Sequence, residues 1–299
     1  MKKILLTIAS AAVCFALSAQ APAGFPKEMP AGFPKNIPAG FFKPRTENIP
    51  VWPNGAPNAF TAPEGSQYTE ATLEIYPAAN PNGWCVIACP GGGYAVLSDS
   101  HEARDFKDWF NARGYTFCVL EYRLPRGHHD VPLSDVQEAI KIMRGRKDLG
   151  IEHVGVMGCS AGGHLASTAA THFTSDENRP EFQILFYPVT TMDKAITHMG
   201  SFEGLLGDNP SQELIDLYSN DKQVTMDTPP ALLILASDDF LVPVANSLRY
   251  YEALVAKGVS ASMHIYPSGG HGFGWTESIF KPEFSAEIER WLNTWVIKK

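Results

Sequence analysis

The stretch "VGVMGCSAGGHLAS", residues 154–167, decides the fold of this 299-residue chain. It passes from an apolar run to a glycine-flanked serine and then into a pattern with helical spacing. Gly158, Ser160 and Gly162 form Gly-x-Ser-x-Gly. That spacing suits a serine on a strained strand-to-helix turn, its hydroxyl lifted above a sheet. The flanking glycines remove side chains that would collide in such a turn. The helix beginning there offers free amides to negative charge. A phosphate loop is the alternative, but the Lys-Ser/Thr that closes a P-loop is absent.

Outward from this turn, short apolar runs alternate with helical patterns. "WCVIAC" (84–89), "TFCVLEY" (116–122), "HVGVMGC" (153–159), "FQILFYP" (182–188), "ALLILAS" (231–237) and "ASMHIYP" (261–267) read as strands. Their near-continuous apolarity suits strands covered on both faces. "EARDFKDWFNARG" (102–114), "LSDVQEAIKIMRGRKDLG" (133–150), "AGGHLASTAATHF" (161–173), "VANSLRYYEALVAKG" (244–258) and "SAEIERWLNTWVIKK" (285–299) have helical spacing. This alternation predicts an α/β fold with a mostly parallel central sheet, right-handed crossovers and helices on both faces. Ligands then belong outside the carboxyl ends of the strands.

A serine hydroxyl needs a base. His271, in "YPSGGHGFGW" (266–275), follows the last strand in a glycine-rich loop that can bring it back over the sheet. His164 lies on the helix after Ser160 and is carried away from the hydroxyl, so it reads as structural. The base needs a carboxylate to fix its tautomer. "LILASDDFLVP" (233–243) supplies Asp238 and Asp239 after a strand, in the order Ser…Asp…His. One of the two is the orienting acid. Donors for a developing oxyanion come from "CPGGGY" (89–94), at the end of an early strand. Gly92, Gly93 and Ala161 are the candidates. "GHHD" (127–130) reads as a substrate-side loop rather than a metal site, since adjacent histidines rarely converge on one ion. No metal or cofactor is expected.

The N-terminus has a different character. "MKKILLTIASAAVCFALSAQA" has two lysines, an apolar stretch short for a bilayer and small residues near Ala19. It reads as a secretory signal peptide over 1–19, removed on bacterial export, leaving no membrane insertion. Val13 is too bulky for the position before a lipidated Cys14. Three octapeptides, "PAGFPKEM", "PAGFPKNI" and "PAGFFKPR" (22–45), carry Pro and Gly in every copy and read as an extended spacer over 20–48. The globular domain is expected over 49–299. Cys85, Cys89, Cys118 and Cys159 fall in the apolar runs and read as buried free thiols. The net charge of −8 argues against a nucleic-acid or anionic-membrane partner.

Together, "CPGGGYAVLSDSHE", "WFNARGYTFCVLEYRL", "DVQEAIKIMR", "VGVMGCSAGGHLA", "ASDDFLVPVANSL" and "GGHGFG" resemble the α/β-hydrolase serine esterases. The likeness is narrower to the bacterial acetyl xylan esterases and their feruloyl-esterase-like relatives, and covers roughly residues 50–296. In that family the acid stands three positions before the Val of a Val-Pro, which points to Asp239 before Val242-Pro243. The resemblance implies removal of acetyl groups from xylan or its oligosaccharides through Ser160, His271 and Asp239. It also implies that Tyr94, Phe240, Phe273 and Trp275 flank the site, where they either stack on sugar rings or pack around a pocket. Pro90 departs from the His-Gly-Gly-Gly of one branch and leaves the choice among Gly92, Gly93 and Tyr94 as donors open. Feruloyl esterase is the nearest alternative. A peptidase and a non-catalytic carbohydrate-binding scaffold are more distant ones.

Overall fold

The structure, a computed structural model, describes residues 46–276 and 280–296. The signal-peptide segment and the octapeptide repeats lie outside these described residues. Eight strands form one sheet: β1 (Glu47–Pro50), β2 (Thr72–Tyr76), β3 (Trp84–Cys89), β4 (Thr116–Glu121), β5 (His153–Cys159), β6 (Gln183–Phe186), β7 (Ala231–Ala236) and β8 (Ala261–Tyr266). Their order is β1-β2-β4-β3-β5-β6-β7-β8. The pairs β1–β2 and β2–β4 are antiparallel and all others are parallel. β1 begins at Glu47, inside the segment the sequence reads as spacer, and pairs along its whole length with β2.

The apolar strand sequences are explained by cover on both faces. Along β3, Cys85, Ile87 and Cys89 enter one core cluster while Val86 and Ala88 enter another. The first cluster takes in α2 (Asp130–Gly145), α3 (Ser160–Thr171) and, through Tyr250 and Leu254, α6 (Ala245–Ala256). The second takes in the short α1 (Lys107–Asn111) through Phe110 and α7 (Lys281–Trp291) through Phe284, Ile288 and Trp291. At about 25 cal/mol per Å² of apolar surface, these two layers are the main favourable term in folding. Cys85, Cys89, Cys118 and Cys159 are buried and free, with the Sγ atoms of Cys85 and Cys118 3.6 Å apart.

Some elements depart from the sequence reading. The expected helix over 102–114 is a 3-10 turn, Arg104–Phe106, followed by α1. The C-terminal helix starts earlier than expected, with a proline in its first turn, and runs on into a π-helical turn at Leu292–Val296. Two short helices, α4 (Met199–Leu206) and α5 (Gln212–Leu217), fill the crossover from β6 to β7. A buried ion pair ties the chain after β4 to α2. Arg123 meets Asp135 at 2.6 Å, and Trp52 Nε1 donates to the same carboxylate at 2.7 Å. Pairing of this kind compensates part of the desolvation cost of Asp135, whose pKa burial still raises.

Candidate active site

β5 delivers Ser160 at its carboxyl end, where α3 begins at the same residue. Ser160 sits at φ +53°, a left-handed conformation that a residue with a Cβ adopts at a cost. The flanking glycines are sterically required. A Cβ on Gly158 would lie 2.1 Å from Gly162 O, and one on Gly162 would lie 2.0 Å from Cys89 O. Both obstacles are backbone, so nothing can swing aside.

His271 arrives from the loop after β8. Its Nε2 lies 2.8 Å from Ser160 Oγ, and its Nδ1 lies 2.8 Å from Asp239 Oδ2. Asp239 stands in the turn after β7, where Oδ1 accepts the N–H groups of Leu241 and Val242, each at 2.9 Å. One carboxylate oxygen is thus fixed by backbone and the other faces the imidazole. The neighbouring Asp238 acts elsewhere. Its Oδ1 accepts Gly270 N–H at 2.7 Å and ties down the loop that carries His271. The arrangement brings the Ser160, His271 and Asp239 side chains together from strand ends far apart in sequence.

The glycine loop after β3 lies against Ser160, since a Cβ on Gly91 would sit 3.0 Å from Ser160 Cβ. Gly91 N–H is engaged, donating to Glu102 Oε2 at 2.9 Å. Among the described residues, the N–H groups of Gly92, Gly93 and Ala161 donate to no protein acceptor. Ala161 lies in the first turn of α3, where amides have no intrahelical partner. These three groups are open donors, two on the loop that lies against Ser160 and one next to it in sequence.

The aromatic expectations divide. Tyr94 is a correction: only 2% exposed, it stands at φ +60°, and its hydroxyl lies 2.9 Å from His164 Nδ1. A ring buried in the core cannot stack on a sugar. Phe273 packs on Phe186, Tyr187 and Phe284, and Trp275 on Phe106, Trp109 and Phe284. Both behave as packing residues of the second core cluster. Phe240 alone of the four projects outward, at 89% exposed.

His164 is fully buried. Nε2–H donates to Tyr218 O at 2.8 Å, and burial pushes its pKa down to about 4. In the "GHHD" loop, His128 stacks on Phe60, and His129 Nδ1 pairs with Tyr218 Oη at 2.8 Å. Among the described residues, no group of three or more His, Cys, Asp or Glu side chains could hold a metal ion.

One residue beside the site escaped sequence reasoning. His198 precedes α4, and its Nδ1 accepts Ser201 N–H at 3.2 Å as the helix cap. That bond leaves the proton on Nε2. Its Cε1 lies 3.5 Å from the place a Cβ on Gly93 would occupy. Burial and then the charge of His271 lower its pKa, while Asp239 acts the other way. The only sequence signal is the His-x-x-Ser spacing of a cap.

Residues 86–274 match a family model described as the alpha/beta hydrolase fold. The chain belongs to this family. As an α/β hydrolase it is 39% identical over 233 residues to an acetylxylan esterase of Xylanibacter ruminicola, covering 75% of this chain and 48% of that protein. It is 34% identical over 205 residues to endo-1,4-beta-xylanase B of Butyrivibrio fibrisolvens, covering 63% of this chain and 32% of the xylanase. The chain thus spans about half or less of the length of these curated relatives. Among solved structures, an acetyl ester-xyloside bifunctional hydrolase from Caldicellulosiruptor lactoaceticus superposes with a TM-score of 0.76 at 34% identity. That match covers 84% of this α/β hydrolase and 97% of the other chain.

Proposed function

We propose that this α/β hydrolase is a serine carboxylesterase that removes acetyl groups from xylan or xylo-oligosaccharides. The observation that carries the reading is the unbroken line from Ser160 Oγ through the His271 ring to Asp239 Oδ2, with both contacts at 2.8 Å. The substrate class draws on the relatives, whose names join acetyl esters to xylan or xylosides.

In the first half-reaction, Ser160 Oγ attacks the acetyl carbonyl while His271 Nε2 takes its proton. Asp239 accepts a hydrogen bond from His271 Nδ1–H throughout, which keeps Nε2 basic and then stabilises the imidazolium. Charge develops on the carbonyl oxygen, and the N–H groups of Gly92, Gly93 and Ala161 are the donors for it. Each such donor is worth about 3–4 kcal/mol to the transition state in enzymes where one has been removed. Collapse of the tetrahedral adduct expels the sugar oxygen, which takes the proton from His271 Nε2. Water then repeats the sequence on the acetyl-serine, with His271 as base, and releases acetate and free Ser160.

The N-terminal signal reading makes the enzyme an exported one, periplasmic or secreted. No helix among the described residues is long and apolar enough to cross a membrane. The test is acetate release from acetylated xylo-oligosaccharides, beside a Ser160→Ala control and a methyl ferulate assay. Acetate release abolished by the substitution supports the proposal. Ferulate release without acetate moves the substrate to aromatic esters, and no Ser160-dependent turnover of either overturns the substrate class.

A further inference from the structure

Beneath the triad lies a carboxylate that the mechanism above does not use. Glu102 is 3% exposed and stands between the β3 loop and the 3-10 turn at Arg104–Phe106. Oε2 accepts Gly91 N–H at 2.9 Å, at the root of the loop that carries Gly92 and Gly93. Oε1 accepts Tyr187 Oη–H at 2.9 Å. Tyr187 Oη in turn accepts Gly274 N–H at 2.8 Å, in the loop that carries His271. The Tyr187 ring stands edge-on to the His271 ring, with centroids 4.8 Å apart. One buried carboxylate therefore fastens the oxyanion loop directly and the histidine loop through a single phenol.

The backbone supports this reading. Tyr187 sits at φ +33° immediately after β6, unfavourable for a residue with a Cβ. Such a conformation persists where the surroundings over-determine it, and here the hydroxyl is held from both sides. A Cβ on Gly91 would lie 2.4 Å from Glu102 Oε2, so the glycine lets the carboxylate come close. Two donors, an O–H and an N–H, converge on the Glu102 side chain and favour its charged form against the burial that raises its pKa.

We infer that Glu102, acting through Gly91 and Tyr187, is a positioning residue that holds the oxyanion loop and the His271 loop in register and places a second negative charge behind the imidazole. This rests on the Ser160–His271 mechanism proposed above but not on the choice of substrate. Burial raises the pKa of Glu102, and the Tyr187 hydrogen bond, His101, His271 and Gly91 N–H act against that. The charged and titratable groups around the pair are Asp239 and His198 beside His271, and His101, Tyr122, Tyr187 and the Cys159 thiol beside Glu102.

The experiment follows Ser160 itself, through its rate of labelling by a small fluorophosphonate across pH, and through p-nitrophenyl acetate turnover per labelled site. In Glu102→Gln, the amide can accept from only one of the two donors. Turnover per site is expected to fall about 100-fold, the scale of a misplaced catalytic loop. The acid limb of the labelling profile is expected to move about half a unit to lower pH as the charge behind the imidazole is lost. Tyr187→Phe keeps the charge but releases Gly274. It should lose about 10-fold in turnover per site with the acid limb unmoved. A Glu102→Gln enzyme with wild-type turnover per site and an unmoved limb overturns the inference. So does a loss explained wholly by fewer labelled sites. If Glu102→Gln does not fold, a Tyr187→Phe enzyme with unchanged turnover per site overturns it instead. Wild-type enzyme that labels at Ser160 but frees no acetate from xylo-oligosaccharides sinks the substrate reading alone, and failure to label sinks both.

Discussion

Asp239→Asn separates orientation from mere proximity. Oδ1 of Asp239 faces two backbone N–H groups, from Leu241 and Val242, and so requires an acceptor. In the asparagine variant the amide oxygen takes that place and the NH₂ is turned toward His271 Nδ1. A donor there cannot meet the Nδ1–H of the working tautomer. The imidazole shifts its proton to Nε2, which then donates to Ser160 Oγ and can no longer receive from it. The expected loss is about 10⁴-fold in kcat, near 5.5 kcal/mol of transition-state stabilisation. Stability should barely change, because both backbone donors keep their acceptor and the side chain keeps its size. Stopped assays of p-nitrophenyl acetate hydrolysis, paired with a thermal melt, read both quantities. A loss below about 10-fold with an unchanged melt would refute the account of Asp239 as the residue that fixes the tautomer.

Further outcomes follow from the same contacts. Asp238→Ala removes only the bond to Gly270 at the surface, so kcat should fall less than about 10-fold, and the contrast with Asp239→Asn is read in the same assay. Gly162→Ala drives a Cβ into Cys89 O, and soluble yield and melting temperature should fall together, with a stability loss of about 3 kcal/mol or more by denaturant titration. His164 contributes a pH dependence to stability. Its folded pKa is pushed down to about 4, while the unfolded ring titrates near 6.5, so the unfolded state binds the extra proton between these values. Stability should therefore be complete above about pH 6.5 and decline by about 3 kcal/mol toward pH 4. Urea titrations at both ends of that window measure it, and a His164→Gln variant should show a flatter profile.

The central sheet was legible because its strands are covered on both faces, which leaves runs such as "ALLILA" with no polar interruption. The antiparallel edge was not. In β2, Thr72, Glu74 and Tyr76 alternate with buried Leu73 and Ile75, a pattern only five residues long in a proline-rich neighbourhood. The helices α4 and α5 are too short to establish a helical period. Ser160 and His271 were readable because each sits in a glycine context that only a special backbone needs. The pair of aspartates could not be separated by chemistry alone, since both have work to do: one on the imidazole, one on the backbone of its loop. Tyr94 misled because an aromatic beside a glycine loop looks exposed in sequence. Its partner His164 lies 70 positions away, and no local pattern announces the contact. Glu102 and His198 stayed hidden for the same reason, their roles defined by bonds across the fold.

β8 closes one edge of the sheet, paired among the described residues with β7 alone, and most of its residues are half-buried. It nevertheless carries the loop that presents His271, whose contact with Ser160 spans 111 positions. Edge elements with few buried contacts open at lower free energy than the sheet interior. His271 is thus hung on an edge strand rather than on the sheet interior. Under mild heat or denaturant, activity should disappear while the far-UV signal of the other strands persists. On refolding, catalysis should return last, as a clock for the docking of β8. On the proposed mechanism, fraying at one margin should silence catalysis without unfolding, and the same small motion in reverse should restore it.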